Sequence, residues 1–323
     1  FGSVLTLSLM GFASKKVANK SNEYTMAKNL SENDFVYFSN MDEKKFTVGR
    51  LIYPLDPVNH IVVGSSRIMQ VNSEVIGEPI QNLSVGGGSI EDSVAILLEA
   101  VAKLNARNVY IGADPWMLNM HVDQNNYKLF ASLYSYWLER ISNQLPLQTY
   151  LSSKQLGVDN TSSVNILSML RNKLQQTKNL TPKNGEPEGY DKKAYDGFHI
   201  YNDSYANNKN RIDGGLLDYG MKKFEYASKA EKSLQLLVSY LKRLDVKVTL
   251  VLSPYHPDLY RLMKSDRPIF SEIENKFKEF SHQHDIKIIG SYDPSIVGCT
   301  SDEFYDGMHP KKSCMNKVFN SFK

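Results

Sequence analysis

Three short stretches of this 323-residue chain hold residue types that can do chemistry together. The first is Val62-Val63-Gly64-Ser65-Ser66-Arg67, an apolar run that ends in a Gly-Ser-Ser turn. In a parallel sheet, ligands gather beyond the carboxyl ends of the strands. Ser66 would there be exposed, rigidly held and close to free backbone N–H groups, which suits a nucleophile that needs a base. A serine after a strand also serves as a helix cap. The second stretch, Phe304-Tyr305-Asp306-Gly307-Met308-His309-Pro310, carries Asp306 three residues before His309. One turn of chain can bring that carboxylate to the imidazole, fix its tautomer and stabilise the imidazolium formed when it takes a serine proton. Its plainer reading is an Asp-Gly turn followed by a surface histidine. The third stretch is Asn82-Leu83-Ser84-Val85-Gly86-Gly87-Gly88-Ser89. Successive glycines let N–H groups approach a ligand closely, as an oxyanion hole requires. A phosphate cradle is the rival reading. The run from Gly86 to Glu91 breaks the G-x-G-x-x-G register at its last position and no G-K-[ST] follows, so a dinucleotide site is not expected.

These residues need a scaffold that delivers strand ends to one edge. Apolar runs at 61–64, 80–85, 109–112, 248–252 and 286–289 read as five buried strands. Amphipathic stretches at 90–104, 127–141, 222–244 and 269–280 read as helices, the first opened by a Ser89/Asp92 capping box. Strands alternating with helices predict an α/β fold with a parallel sheet covered on both faces. Residues 145–221 are polar and weakly patterned, with a helix expected only at 164–175. They read as an insertion on a single α/β domain spanning 21–323, of the kind that supplies lids and binding loops.

Composition narrows the class. Hydrophobic residues make up 41% and charged residues 23%, enough apolar material for a sizeable core. Lys and Arg (38) exceed Asp and Glu (35) by only three, which argues against a nucleic-acid partner. Residues 1–13 are uncharged and mostly apolar or small, followed by Lys15 and Lys16. Thirteen residues fall short of the roughly 20 needed to span a bilayer. The stretch reads as a signal-peptide core or the end of a membrane anchor within residues 1–20, with a buried helix or strand as the alternative. Cys299 and Cys314 bracket the Asp306–His309 loop. A bridge between them would pin that loop and would require an oxidising compartment; two unpaired buried cysteines are the other reading.

Taken in order, these blocks resemble the SGNH (GDSL-like) hydrolase superfamily, most closely its extracytoplasmic branch that acylates cell-envelope polymers, such as the alginate O-acetylation and teichoic-acid D-alanylation proteins. The resemblance covers residues 61–310 and is most specific at Asp306-x-x-His309. It implies a three-layer sandwich around a central five-stranded parallel sheet. It also implies a nucleophile at Ser66, a base at His309 oriented by Asp306, and no cofactor or metal. The activity implied is that of a serine esterase or O-acyltransferase, working through an acyl-serine on polysaccharide or an acylated small molecule, beside a membrane-bound acyltransferase that delivers the acyl group. An extracytoplasmic location follows from the same resemblance. The second block matches Asn82-x-Ser84-x-x-Gly87, with Ser84 where the family usually has glycine, and the third matches Gly112-Ala113-Asp114-Pro115-Trp116. Ser65 replaces the usual aspartate before the nucleophile.

Asp114 stands where the hydrolases place an asparagine oxyanion donor. An ionised carboxylate would repel an oxyanion, so Asp114 is expected to cap a helix that begins at Pro115. The N–H groups of Ser66 and Gly87 then become the expected donors, with Arg67 assisting or pairing with an acidic substrate. Ser84, Trp116 and His256 are further candidates to line the site. A non-catalytic assembly or polysaccharide-binding protein of the same fold is the alternative, and Asp114 is the residue that favours it. Tyr195-Asp196-Gly197-Phe198-His199 nearly repeats the Asp306–His309 motif. It lies in the insertion with no strand expected before it, so Asp306 and His309 are preferred, with His199 left as a substrate contact. His199, His256 and His309 show no metal-ligand spacing.

Overall fold

The computed structural model describes residues 23–53, 55–122, 129–146, 189–202, 205, 212 and 214–321. Its elements begin with α1 (Glu23–Leu30), β1 (Phe35–Phe38), α2 (Glu43–Ile52), β2 (His60–Val63) and α3 (Ser73–Ile76). The chain continues through β3 (Ile80–Asn82), α4 (Ile90–Leu104), β4 (Asn108–Gly112), α5 (Ala131–Ser142), β5 (Asp191–Ala194) and β6 (His199–Ile200). The last elements are α6 (Ser228–Arg243), β7 (Lys247–Leu252), α7 (Pro257–Asp266), α8 (Ile269–Gln283), β8 (Lys287–Gly290), α9 (Pro294–Val297) and α10 (Lys312–Asn320).

The five apolar runs form one all-parallel sheet in the order β3-β2-β4-β7-β8. Side chains alternate across its faces. Ile61, Val63, Leu250 and Leu252 face a large core shared with Val94 and Leu98 of α4, Trp137 of α5, Leu237 of α6 and Phe277 of α8. Val62, Val251 and Ile289 face a smaller core closed by Val75 of α3 and by Cys314, Met315 and Val318 of α10. Two helical layers around a parallel sheet make the expected α/β sandwich. The Ser89 hydroxyl accepts from the Asp92 N–H and the Asp92 carboxylate accepts from the Ser89 N–H, so α4 opens on the capping box foreseen for it.

The insertion departs from expectation. A strand does precede Tyr195: β5 pairs antiparallel with β1 (Phe35↔Ala194 to Phe38↔Asp191) and with β6 (Lys193↔His199). This second, three-stranded sheet joins a strand that precedes the parallel body to two that lie between β4 and β7 in sequence. Arg50 of α2 fastens it to β3, with Nη2 donating to Gln81 Oε1 at 2.6 Å and to the Tyr195 carbonyl at 2.5 Å. The helix expected at 164–175 and the export or anchor segment expected at 1–20 lie outside the described residues. The helix expected from 127 is described from Ala131, and that expected from 222 starts at Ser228.

Candidate active site

Ser66 owes its position to two local constraints. The chain leaves β2 at Gly64, whose φ of +154° and tight packing leave no room for a side chain: an added β-carbon would sit 3.0 Å from both Gly112 Cα and Ile68 Cγ2. Ser65, fully buried, then caps the 3-10 turn Ser66–Ile68 by accepting the Arg67 N–H at 3.1 Å. That capping bond fixes the turn and leaves the next residue at the mouth of the sheet.

His309 arrives from the other end of the chain. Asp306 Oδ1 accepts the backbone N–H groups of Met308 (2.7 Å) and His309 (2.9 Å), which curls the loop into a tight turn. Phe304 and Pro310 bridge its base, and a disulfide between Cys299 and Cys314 closes the segment around it. His309 Nδ1 lies 2.8 Å from Asp306 Oδ2, and His309 Nε2 lies 2.8 Å from Ser66 Oγ. The three residues expected to form a triad are therefore joined in one hydrogen-bonded chain, across 243 residues of sequence. Burial raises the proton affinity of Asp306. The bonds and charge of His309, the Tyr205 hydroxyl and the Met308 N–H outweigh that effect and hold the carboxyl well below the ordinary carboxylate range.

The glycine loop lies alongside. A β-carbon on Gly88 would collide with the Gly64 carbonyl, so only glycine lets this loop press against the Gly64–Ser65 peptide. Gly87 is left-handed (φ +59°). Among the described residues, neither the Ser66 N–H nor the Gly87 N–H donates to a protein acceptor. Both remain free to receive developing negative charge. Glu43 of α2 anchors the loop by accepting the Gly86 N–H at 2.6 Å. Burial raises the Glu43 pKa, but Lys193, His199 and the Gly86 N–H together bring it below the usual value.

Other expected contacts are corrected. Arg67 is fully buried and faces no substrate space. Its Nη1 pairs with Asp114 Oδ1 at 2.8 Å, its Nε donates to the Met308 carbonyl at 3.1 Å, and its Nη2 donates to the Ser253 and Pro254 carbonyls. The guanidinium also stacks 3.8 Å over the Tyr255 ring. Asp114 does occupy the cap position before Pro115, yet its side chain makes no capping bond; it is the counter-ion of Arg67. Trp116 is buried beneath the glycine loop, donating from Nε1 to the Gly88 carbonyl at 3.3 Å. Ser84 gives its N–H to Asn82 Oδ1, and its buried hydroxyl makes no hydrogen bond. His256 is buried at the start of α7, where Nδ1 accepts the Asp258 N–H and its own N–H supports the Gly307 carbonyl. Burial, the dominant influence, lowers its pKa.

The motif at 195–199 does a different job. Asp196 accepts the N–H (3.0 Å) and hydroxyl (2.9 Å) of Ser73, and its carbonyl accepts the Asn82 N–H. His199 is buried between Glu43 Oε1 (3.3 Å) and Asp191 Oδ2 (3.1 Å), so it is not a substrate contact. Among the described residues, no group of three or more His, Cys, Asp or Glu is placed to hold a metal ion. Sequence reasoning missed Glu43 and Tyr205, which lie outside every recognised block; Tyr205 donates to Asp306 Oδ2 at 2.6 Å.

No protein-family model and no curated protein matches this chain.

Proposed function

We propose that the chain is a serine esterase or O-acyltransferase of the SGNH type, acting on cell-envelope or exported polysaccharide. The observation that carries this reading is the hydrogen-bonded run Ser66–His309–Asp306 beside two free N–H groups. As Ser66 Oγ attacks an acyl carbonyl, its proton passes to His309 Nε2 and Asp306 stabilises the imidazolium. The carbonyl oxygen becomes an oxyanion held by the Ser66 and Gly87 N–H groups. Collapse of this intermediate expels the leaving group, which takes the proton from His309, and leaves an acyl-serine. Water or a sugar hydroxyl then gives its proton to His309 and attacks the acyl carbon; the bond to Ser66 Oγ breaks, and His309 returns the proton to that oxygen. Residues 1–20 act as the export or anchor segment, and a membrane-bound acyltransferase delivers the acyl group. The Cys299–Cys314 disulfide supports an oxidising compartment. Among the described residues, no helix is long and apolar enough to cross a membrane.

Release of p-nitrophenolate from p-nitrophenyl acetate tests the reading. Release that vanishes in Ser66→Ala and His309→Ala supports it; release unchanged in both variants contradicts it. Acetate recovered on an added oligosaccharide, in place of free acetate, assigns transfer over hydrolysis.

The alternative is a non-catalytic envelope assembly or polysaccharide-binding protein of this fold, and Asp114 is the residue that favours it. The ion pair with Arg67 gives Asp114 a structural purpose that is compatible with either reading.

A further inference from the structure

Among the described residues of the insertion, Tyr201 lies near the His309 ring and Tyr205 bonds the candidate triad directly. Tyr205 donates its phenolic hydrogen to Asp306 Oδ2 at 2.6 Å, and the same oxygen faces His309 Nδ1 at 2.8 Å. The phenol is aimed by a relay of its own. Asp191 Oδ1, at the start of β5, accepts the backbone N–H (2.8 Å) and side-chain amide (2.6 Å) of Asn202. Asn202 Oδ1 in turn accepts the Tyr205 N–H at 3.1 Å. The Tyr205 ring stacks on Tyr201 at 4.6 Å, and Tyr201 is itself packed against His199 (4.2 Å) and Tyr305 (4.7 Å).

We propose that Tyr205 is a positioning residue of the triad, holding Asp306 against the imidazole and weakening His309 as a base. The inference rests on the Ser66–His309–Asp306 reading above. A hydrogen bond donated to a carboxylate draws off charge that would otherwise stabilise the imidazolium. Several other groups surround the pair. Ser66 comes from the β2 turn, Tyr201 from the end of β6, Tyr305 from the same loop, and His256 from the start of α7. Arg67, neutralised by Asp114, lies beneath the Met308 carbonyl. Among the described residues, Tyr205 is the one side chain besides His309 that bonds the Asp306 carboxylate.

The test is an NMR titration of the His309 imidazole in the full chain, in wild type, Tyr205→Phe and Tyr305→Phe. Tyr305 shares the aromatic cluster, but its hydroxyl bonds Gln70 Oε1 at 3.3 Å, so Tyr305→Phe controls for packing. The expected result is a midpoint that rises by about half a unit or more in Tyr205→Phe and stays in place in Tyr305→Phe. The acid limb of kcat/KM for p-nitrophenyl acetate is expected to move up with it. A midpoint unchanged or lowered in Tyr205→Phe, or an equal rise in Tyr305→Phe, overturns the proposal. The titration reads the imidazole directly, so it decides on Tyr205 even where absent nitrophenolate release from wild type counts against the proposed reaction.

Discussion

Arg67 and Asp114 meet at 2.8 Å in full burial, one residue past Ser66 and at the mouth of the neighbouring strand β4. The pair ties the ends of β2 and β4 to the Met308 carbonyl of the His309 loop and to the carbonyls that follow β7. A buried ion pair at this point braces the candidate site from beneath its surface.

Removing one partner leaves the other charge buried and uncompensated. Arg67→Met is expected to lower unfolding free energy by about 3–5 kcal/mol, and Arg67→Met with Asp114→Leu to recover much of that loss. Urea denaturation of the two variants checks this. A loss below about 1 kcal/mol would mean that the charges are solvated, which would contradict the buried pair.

The disulfide encloses the loop that presents His309. With its cysteines 15 positions apart, replacing both by serine is expected to cost about 3 kcal/mol of stability. The rate of Ser66 acylation is expected to fall as well, because the Asp306 turn loses its brace. Chemical denaturation and p-nitrophenolate release measured on the same double variant separate the two effects.

Three buried or half-buried carboxylates, Glu43, Asp191 and Asp306, have native pKa values below their ordinary ones, because their partners outweigh burial. The sign follows from proton binding. The unfolded chain takes up protons at these groups near pH 4, while the native chain resists until lower pH. Their stabilisation is complete above about pH 5 and is lost as pH falls through the native values. Urea midpoints at pH 6 and pH 3 are expected to differ strongly, with a smaller difference in Asp306→Asn. A midpoint that rises on acidification would contradict the assigned directions.

Much of the body was legible in the sequence because its signals are local. Each parallel strand is a short apolar run, α4 carries its own cap, and Ser66 and His309 sit next to a glycine turn and an Asx turn that declare themselves within a few residues. What escaped is long-range. The Asp191–Ala194 strand reads Asp-Lys-Lys-Ala and has no apolar alternation; its burial of Lys193 depends on Glu43, far away in sequence. Arg67 and Asp114 were each assigned a local role because their partnership spans 47 residues. Tyr205 lies in a polar stretch with no motif, and only the fold brings it to Asp306.

The central claim is that Ser66 is a nucleophile activated by His309. Fluorophosphonate labelling with peptide mapping by mass spectrometry tests it most directly. The account expects a single adduct on Ser66, absent in Ser66→Ala and slowed by about a thousandfold or more in His309→Ala. No adduct on the folded wild-type chain, or an adduct on another serine that persists in Ser66→Ala, would contradict it.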